Sequence, residues 1–173
     1  MNMLDIGNST LPEASGQMPA SARNNVDLPL PDGPMTLEAW FRGDHLDGRR
    51  GLVTKTEGSE YGLFVSDGHP SFWIHLDGAY ASLEPMDVPL VPGQWHHIAG
   101  VYDNDNGASY LFIDGVLNDT YEISGDFLSS YNKLYINNQA PFAGEFHMDC
   151  DVAGVRITDG VRYSSDFSPE FPL

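Results

Sequence analysis

The sequence predicts an all-β domain, an antiparallel sandwich of two β-sheets. Short runs of β-branched and aromatic residues recur along the chain, and no segment keeps a helical hydrophobic period. Asp-Gly pairs at 67–68, 77–78 and 114–115 separate several of these runs. They suit tight hairpin turns, because both central residues of a type I′ turn need positive φ. At 173 residues, the chain is long enough for one well-buried domain.

The first 34 residues are predicted to form an arm ahead of a domain over residues 35–173. The arm is rich in Asn, Ser, Ala and Pro, with short strands expected near 4–6 and 26–30. It could lie across a neighbouring subunit or be a passive extension. Residues 1–16 lack the basic start and apolar run of a signal peptide, and no window is apolar enough to cross a bilayer.

Within the domain, period-two alternation and turn residues define the elements. Trp40 faces away from the apolar side of its strand, which predicts that both faces of that strand are partly covered. Residues 103–107 (DNDNG) form a loop, and the tail over 164–173, with Phe167 and Phe171, is expected to fold back on the surface. Strands are predicted at 36–41, 52–55, 61–66, 70–76, 80–83, 95–102, 109–113, 116–120, 133–137 and 152–158.

The charge is strongly acidic, with 25 Asp and Glu against 8 Lys and Arg, and a formal net charge of −17. This argues against nucleic acid and anionic membranes as partners, because binding to either needs a basic surface. A solvated acidic exterior accounts for the charge. The alternatives are that the acidic residues bind divalent cations or dock on a basic protein surface. Cys150 is the single cysteine, so an intramolecular disulfide is impossible.

Three stretches resemble the laminin G-like, concanavalin A-like jelly-roll module. GQWHHIAGVYD followed by ASYLFIDGVL (93–103 and 108–117) is similar to its central hairpins, and MTLEAWFR (35–42) to its opening strand. DVAGVRITDGVRYSSDFSP (151–169) is similar to its closing strand and tail, in the variant of bacteriophage tail and virion proteins. The resemblance implies a concanavalin-type jelly roll over 35–169. It says little about the ligand, because one fold hosts many functions.

The sequence predicts no enzyme. The β-glucanases that share this fold carry E-x-D-x-E or E-x-D-x-x-E on one strand, which aims two carboxylates at one cleft. Glu57 and Glu60 lie across a turn, and Asp149 with Asp151 lacks the flanking Glu. Nucleophile-elbow, HExxH and phosphate-loop motifs are also missing from the sequence.

Metal binding is considered at two places, and we predict no specific metal ligands. His96 and His97 are adjacent, so on a strand their side chains point to opposite faces and cannot bind one metal together. Packing or hydrogen-bonding roles are therefore favoured for both. Relatives of the laminin G type often hold Ca²⁺ at the sheet rim, where Asp103, Asp105, Asp149 and Asp151 could contribute oxygen ligands. The Asp-Glu pair expected in the closing strand is replaced by Ala153-Gly154, and turn chemistry explains the loop Asp residues better.

Carbohydrate binding would need exposed aromatic faces beside planar polar groups, since most aromatics of a sandwich lie in its core. The best local concentration of both is 131–139 (YNKLYINNQ). We predict glycan contacts by Trp73, Tyr131, Tyr135, Asn137 and Asn138. Weaker candidates of the same residue types are Tyr80, Tyr110, Tyr121, Asn132 and Gln139.

These features favour a non-catalytic binding or structural module. The first hypothesis is a phage virion surface component, a head-decoration or tail-associated protein that docks on a protein shell and binds host glycans. Its partners would be other virion or surface proteins, with the chain as a homo-oligomer and localised in the virion. The alternative is a glycan-binding module of a larger bacterial surface or secreted protein. Its binding could depend on calcium or not. A glycosidase is the third and weakest hypothesis.

Overall fold

The computed structural model describes residues 3–5, 33–56, 60–77, 79–128, 133–139 and 146–173. The expected strand at 26–30 and most of the predicted arm lie outside these residues. In the described part, all regular secondary structure is β-strand. The strands are β1 (Met3–Asp5), β2 (Met35–Arg42), β3 (Arg49–Thr56), β4 (Glu60–Ser66), β5 (His69–Leu76), β6 (Ala79–Leu83), β7 (His96–Asp103), β8 (Ala108–Ile113), β9 (Val116–Glu122), β10 (Tyr135–Ile136) and β11 (Asp151–Asp159).

The strands form two antiparallel sheets, which confirms the predicted sandwich. One sheet has six strands in the order β1-β11-β2-β7-β8-β9, and the other has five in the order β10-β3-β4-β5-β6. The short strand expected near 4–6 is present as β1, which pairs with β11. The strand predicted at 133–137 is shorter, because only Tyr135 and Ile136 pair with β3. Strand β3 starts at Arg49, earlier than predicted, because Arg49–Gly51 pair with β4.

The main core lies between the sheets and follows the period-two alternation of each strand. In β4, Tyr61, Leu63 and Val65 are fully buried on the inner face, and in β5 Phe72 and Ile74 meet them. The strands of the six-stranded sheet supply the opposite wall, including Leu37, Phe41, Ile98, Tyr102 and Leu111. The intervening residues of β4, β5 and β6 therefore point outward from the five-stranded sheet.

The predicted Asp-Gly turns adopt the required backbone conformation. Asp67 and Gly68 have φ of 49° and 81°, and Asp114 and Gly115 have φ of 51° and 82°. Both pairs therefore provide the two successive positive φ angles of a type I′ turn. The third turn, at 77–78, lies partly outside the described residues.

The tail forms what we call the C-terminal strap, residues 160–173, on the outer face of the six-stranded sheet. The indole N–H of Trp40 donates to the carbonyl of Glu170 at 2.5 Å, and the amide of Phe167 donates to the carbonyl of Gly115 at 2.8 Å. Tyr163 and Phe167 pack on a small second core of Ala99, Val101 and Phe112. The tail is thus folded back, and both faces of β2 are covered, as predicted.

The part of the chain that the structure describes contains no helix long and apolar enough to cross a membrane.

Candidate functional site

Aromatic side chains gather on the outer face of the five-stranded sheet. Alternation in β4 and β5 sends Phe64, Trp73 and His75 outward while their neighbours fill the core, and Tyr80 follows in β6. We call Phe64, Trp73, His75, Tyr80 and the adjoining Arg49 the aromatic patch. Its rings touch edge to face or at a tilt, with Trp73 5.5 Å from both Phe64 and Tyr80 between ring centroids.

A glycine lets the patch pack closely against its own sheet. Gly62 lies between Trp73 and Thr54 in the cross-strand register. A Cβ at this position would lie 2.8 Å from Cε2 of Phe64, so the Phe64 ring occupies the space over Gly62. Phe64 is fully buried as a result, and it supports Trp73 from one side. The patch therefore has a fixed base with partly exposed rings above it.

Arg49 completes the patch from the start of β3. Its guanidinium carbon lies 4.4 Å from the ring centroid of Trp73, 4.6 Å from that of Phe64 and 5.4 Å from that of Phe146. These distances are within the range of cation–π attraction, which is stronger where solvent is excluded. The patch thus holds a cation fixed against its central ring.

Two other titratable groups of the patch are shifted toward their neutral forms. Burial lowers the pKa of His75, and its ring lies 4.7 Å from that of Tyr80 between centroids. Burial raises the pKa of Tyr80, and the nearby Glu84 carboxylate adds to this, so the phenol keeps its proton. Tyr80 is 45% exposed and can offer both its ring and its hydroxyl to a ligand.

A cleft adjoins the patch at the edge of the sandwich, where β6 faces β9. Its volume is about 520 Å³, within the size range of small-molecule sites. Tyr80 belongs to both the patch and the cleft, and Tyr121, 48% exposed, lies on the opposite wall. The cleft is lined by Ala79, Tyr80, Gly107, Tyr121, Glu122, Ile123 and Ser124.

The residues predicted to contact glycans are placed unequally by the structure. Trp73 is central to the patch. Tyr135 is half-buried and lies in the same cross-strand row as Trp73. The two residues are three strands apart, which is about 14 Å at the usual strand spacing. Asn137 Oδ1 accepts from the Cys150 thiol at 3.2 Å, and Asn138 is 8% exposed with its carbonyl bonded to the Thr54 hydroxyl at 2.7 Å. Tyr131 lies outside the described residues.

The weaker candidates divide in the same way. Tyr80 and Tyr121 lie at the cleft, whereas Tyr110 packs beside Phe112 in the other sheet. Gln139 is 5% exposed, and Asn132 is outside the described residues. Sequence reasoning missed Arg49, Phe64 and His75. The signal that would have found His75 is its position two residues after Trp73 in one strand, since such residues share a face.

Two of the four Asp residues considered for calcium, Asp103 and Asp151, have their carboxylates engaged in internal contacts. Asp103 is 3% exposed, and its two oxygens accept hydrogen bonds from the amide and side chain of Asn106 at 3.1 and 2.7 Å. Asp151 pairs with Arg42 at 2.6 Å. Within the described residues, no cluster of three or more His, Cys, Asp or Glu side chains could hold a metal. Asp103 thus acts in turn chemistry within the 103–107 loop.

The two adjacent histidines make different internal contacts. His96 Nδ1 lies 2.8 Å from an oxygen of Asp114, and His97 Nε2 lies 3.1 Å from an oxygen of Glu38. The hydrogen bond to Asp114 raises the pKa of His96, against the opposing effect of burial. Both rings thus have the packing and hydrogen-bonding roles predicted for them.

The two-sheet topology defines the class of this protein as a jelly-roll β-sandwich. A comparison with protein-family profiles gives the particular family. Residues 15–166 match the Laminin_G_3 profile, described as the concanavalin A-like lectin/glucanases superfamily. The chain belongs to this superfamily. The matched region starts within the predicted N-terminal arm. A search of curated proteins found no match.

Solved structures with the same fold come from several kinds of protein. A candidate carbohydrate-binding protein of Bacteroides ovatus ATCC 8483 superposes with a TM-score of 0.65 at 17% identity, over 82% of this chain and 41% of that one. The CBM40 module of a Ruminococcus gnavus sialidase, solved with α2,3-sialyllactose, has a TM-score of 0.64 at 13% identity, over 76% and 78%. Mouse laminin α1 LG4-5 has a TM-score of 0.60 at 14% identity, over 79% and 38%. These likenesses show the fold. The chain spans under half of the Bacteroides protein.

Proposed function

We propose that this protein is a non-catalytic glycan-binding module and that its ligand lies on the aromatic patch and in the adjoining cleft. The observation that carries this proposal is the pair Trp73 and Tyr80, packed 5.5 Å apart on an outward sheet face. Sugar rings present C–H faces that stack on such rings, while their hydroxyls need nearby polar groups. Tyr80, His75 and Arg49 provide these groups. The glycan ligand of the R. gnavus module supports the same function on this fold.

The carboxylates at the edge of the patch support binding over hydrolysis. Glu84 Oε1 accepts from the hydroxyl of Ser82, and Asp119 accepts the amide protons of Glu84 and Thr120 at 3.1 and 2.8 Å. A glycosidase needs one acid and one base or nucleophile aimed at the same bond. The Asp119 carboxylate is instead engaged in holding the end of β6 beside β9, and the Glu84 carboxylate is bonded within its own segment.

Glycan-array binding by the full chain tests the proposal, followed by calorimetry on the best ligand. Trp73→Ala and Tyr80→Ala should each weaken binding at least about tenfold, because aromatic anchors dominate such interfaces. Phe171→Ala is the matched control, since Phe171 is a 55% exposed aromatic residue on the other sheet. An array without a saturable ligand, or equal losses in all three variants, would contradict the proposal.

We also propose a setting for this module, the surface of a phage virion, where it would serve as a head-decoration or tail-associated protein, as a homo-oligomer. The support is the net charge of −17, which suits docking on a basic shell, and the resemblance of 151–169 to virion proteins. Part of that stretch forms the C-terminal strap and is also explained by packing. A larger bacterial surface or secreted protein is the alternative setting. Mass spectrometry of particles purified from the source culture separates the two, and absence of the chain from the particles contradicts the virion setting.

A further inference from the structure

Arg49 stands apart from most basic residues in the described chain. Arg42 pairs with Asp151 at 2.6 Å, Lys55 with Glu60 at 2.5 Å, and Arg156 and Arg162 with Glu38 at 3.6 and 2.9 Å. Among the described residues, no carboxylate lies within 4 Å of the Arg49 guanidinium. Within the described ranges, Arg49 is therefore a cation without a carboxylate partner, in a chain that has 25 acidic residues.

The position of Arg49 also suits a group that binds a ligand. Its guanidinium carbon lies over Trp73 and Phe64 at 4.4 and 4.6 Å from the ring centroids, so the aromatic rings hold it in place. Its Nε is buried and makes no hydrogen bond to any described residue. A buried donor without an acceptor destabilises the protein, and an acceptor on a ligand would remove that cost.

The guanidinium group of Arg49 favours a ligand that carries a carboxylate. It presents a planar fork of N–H donors that matches a carboxylate in two parallel hydrogen bonds, and such charge-assisted bonds are stronger than neutral ones. The rings around Arg49 exclude water on one side, which strengthens the attraction further. A neutral sugar hydroxyl would use one donor and leave the charge unpaired.

We propose that the aromatic patch recognises a carboxylate-bearing sugar, a uronic or sialic acid, with the sugar carboxylate bound by Arg49 beside the ring of Trp73. This inference rests on the proposed glycan-binding function and names the class of glycan. The overall negative charge of the chain disfavours general polyanion binding, so recognition depends on this one cation.

Calorimetry with matched acidic and neutral probes tests the proposal on the full chain. Trigalacturonic acid is compared with its methyl ester, and 3′-sialyllactose with lactose, so that the two pairs separate uronic from sialic acids. At least one acid should bind about tenfold or more tightly than its neutral partner, the size expected for a charge-assisted pair. Arg49→Gln should remove that preference, so that each acid binds within about threefold of its neutral partner.

Two variants and one comparison make the result decisive. Arg50→Gln is the control, because Arg50 is the next residue of β3 and its side chain points to the opposite face. Arg49→Lys keeps the charge but loses the fork, so a partial loss is expected, and this variant replaces Arg49→Gln if the latter fails to fold. Equal binding of acid and neutral probes, or of neutral glycans alone, overturns the proposal and leaves the glycan function standing. A chain that binds no glycan at all overturns both.

Discussion

Glu38 is a fully buried acidic side chain beneath the C-terminal strap. Its oxygens lie 2.9 Å from Arg162 Nε, 2.9 Å from the hydroxyl of Tyr163 and 3.1 Å from His97 Nε2. Burial acts to raise the pKa of Glu38, but the hydrogen bonds from His97 and Tyr163 and the charge of Arg162 outweigh it and hold the pKa below the ordinary 4.5. The carboxylate is therefore charged in the folded protein and joins β2 and β7 to the strap.

Glu38→Gln should lower the free energy of unfolding at neutral pH by about 3 kcal/mol, since it leaves the partly buried guanidinium groups of Arg156 and Arg162 without their charge partner. Because the folded pKa is below the unfolded one, the contribution of Glu38 is complete above the unfolded value. It is lost as the pH falls through the folded value. Urea unfolding at neutral pH and at acid pH below 4.5 measures both effects, and the variant should lose less stability on acidification.

The control for this prediction is Glu170→Gln, whose side chain is 77% exposed. An exposed carboxylate contributes little, so the control should stay within about 0.5 kcal/mol of the wild type. Equal stability of Glu38→Gln and the control would show that the buried cluster does not hold the strap.

The amides at 137 and 138 show why residue types alone do not identify a binding site. Asn137 and Asn138 look like free amides in a polar loop, yet Asn137 Oδ1 accepts from the Cys150 thiol, and Asn138 is 8% exposed with its backbone carbonyl accepting from Thr54. Those partners are distant in sequence, so local pattern carries no sign of them. Trp73 was predictable as partly exposed because its strand alternates with a core face.

At the scale of elements, the C-terminal strap acts as a cover for the six-stranded sheet. The ring of Phe167 stacks parallel to that of Tyr163, with centroids 3.5 Å apart, and lies 5.4 Å from the ring of Phe112. The strap thus buries the apolar outward residues of β7 and β8, which would otherwise form an exposed patch.

Phe167→Ala should destabilise the protein by about 2 kcal/mol, less than a fully buried Phe because the residue is half-buried. Phe171→Ala, at a 55% exposed position of the same strap, should cost less than about 1 kcal/mol. Chemical denaturation of both variants measures the difference. If the two losses are equal, the second core is not what fastens the strap.

Element prediction succeeded where alternation and turn chemistry agree. Strands β7, β8 and β9 and the turn at Asp114 and Gly115 match the expectation to within two residues. The predicted strand at 133–137 shrank to Tyr135 and Ile136, because Asn137 takes positive φ (59°) and the chain leaves β3 there. Asn is among the non-glycine residues that most often adopt positive φ, so Asn137 suits the end of a strand.

At the scale of the whole molecule, the two sheets approach closely at Gly100. A Cβ on this residue of β7 would lie 2.3 Å from Cδ2 of Phe72, which belongs to β5 in the other sheet. The Phe72 ring thus occupies the space that a side chain would need. This contact fixes the spacing of the sheets at the centre of the core.

Gly100→Ala should lower the free energy of unfolding by about 1–3 kcal/mol through overpacking. Phe72→Leu removes the ring and should relieve part of that cost in the double variant. A double-mutant cycle by urea denaturation measures the coupling between the two sites, which is expected to be at least about 0.5 kcal/mol. Additive losses would show that the two residues do not compete for the same space.

The sequence by itself determined the all-β class, the hairpin turns and the inward or outward direction of most strand residues, because these follow from neighbours one or two positions apart. The tertiary structure alone decided that Arg49 lies over Trp73, that Glu38 meets Tyr163, and that Asn138 and Gln139 are buried. Each of these depends on which distant strands pair and in what register. That choice is made by the burial of the whole core, and no local pattern encodes it.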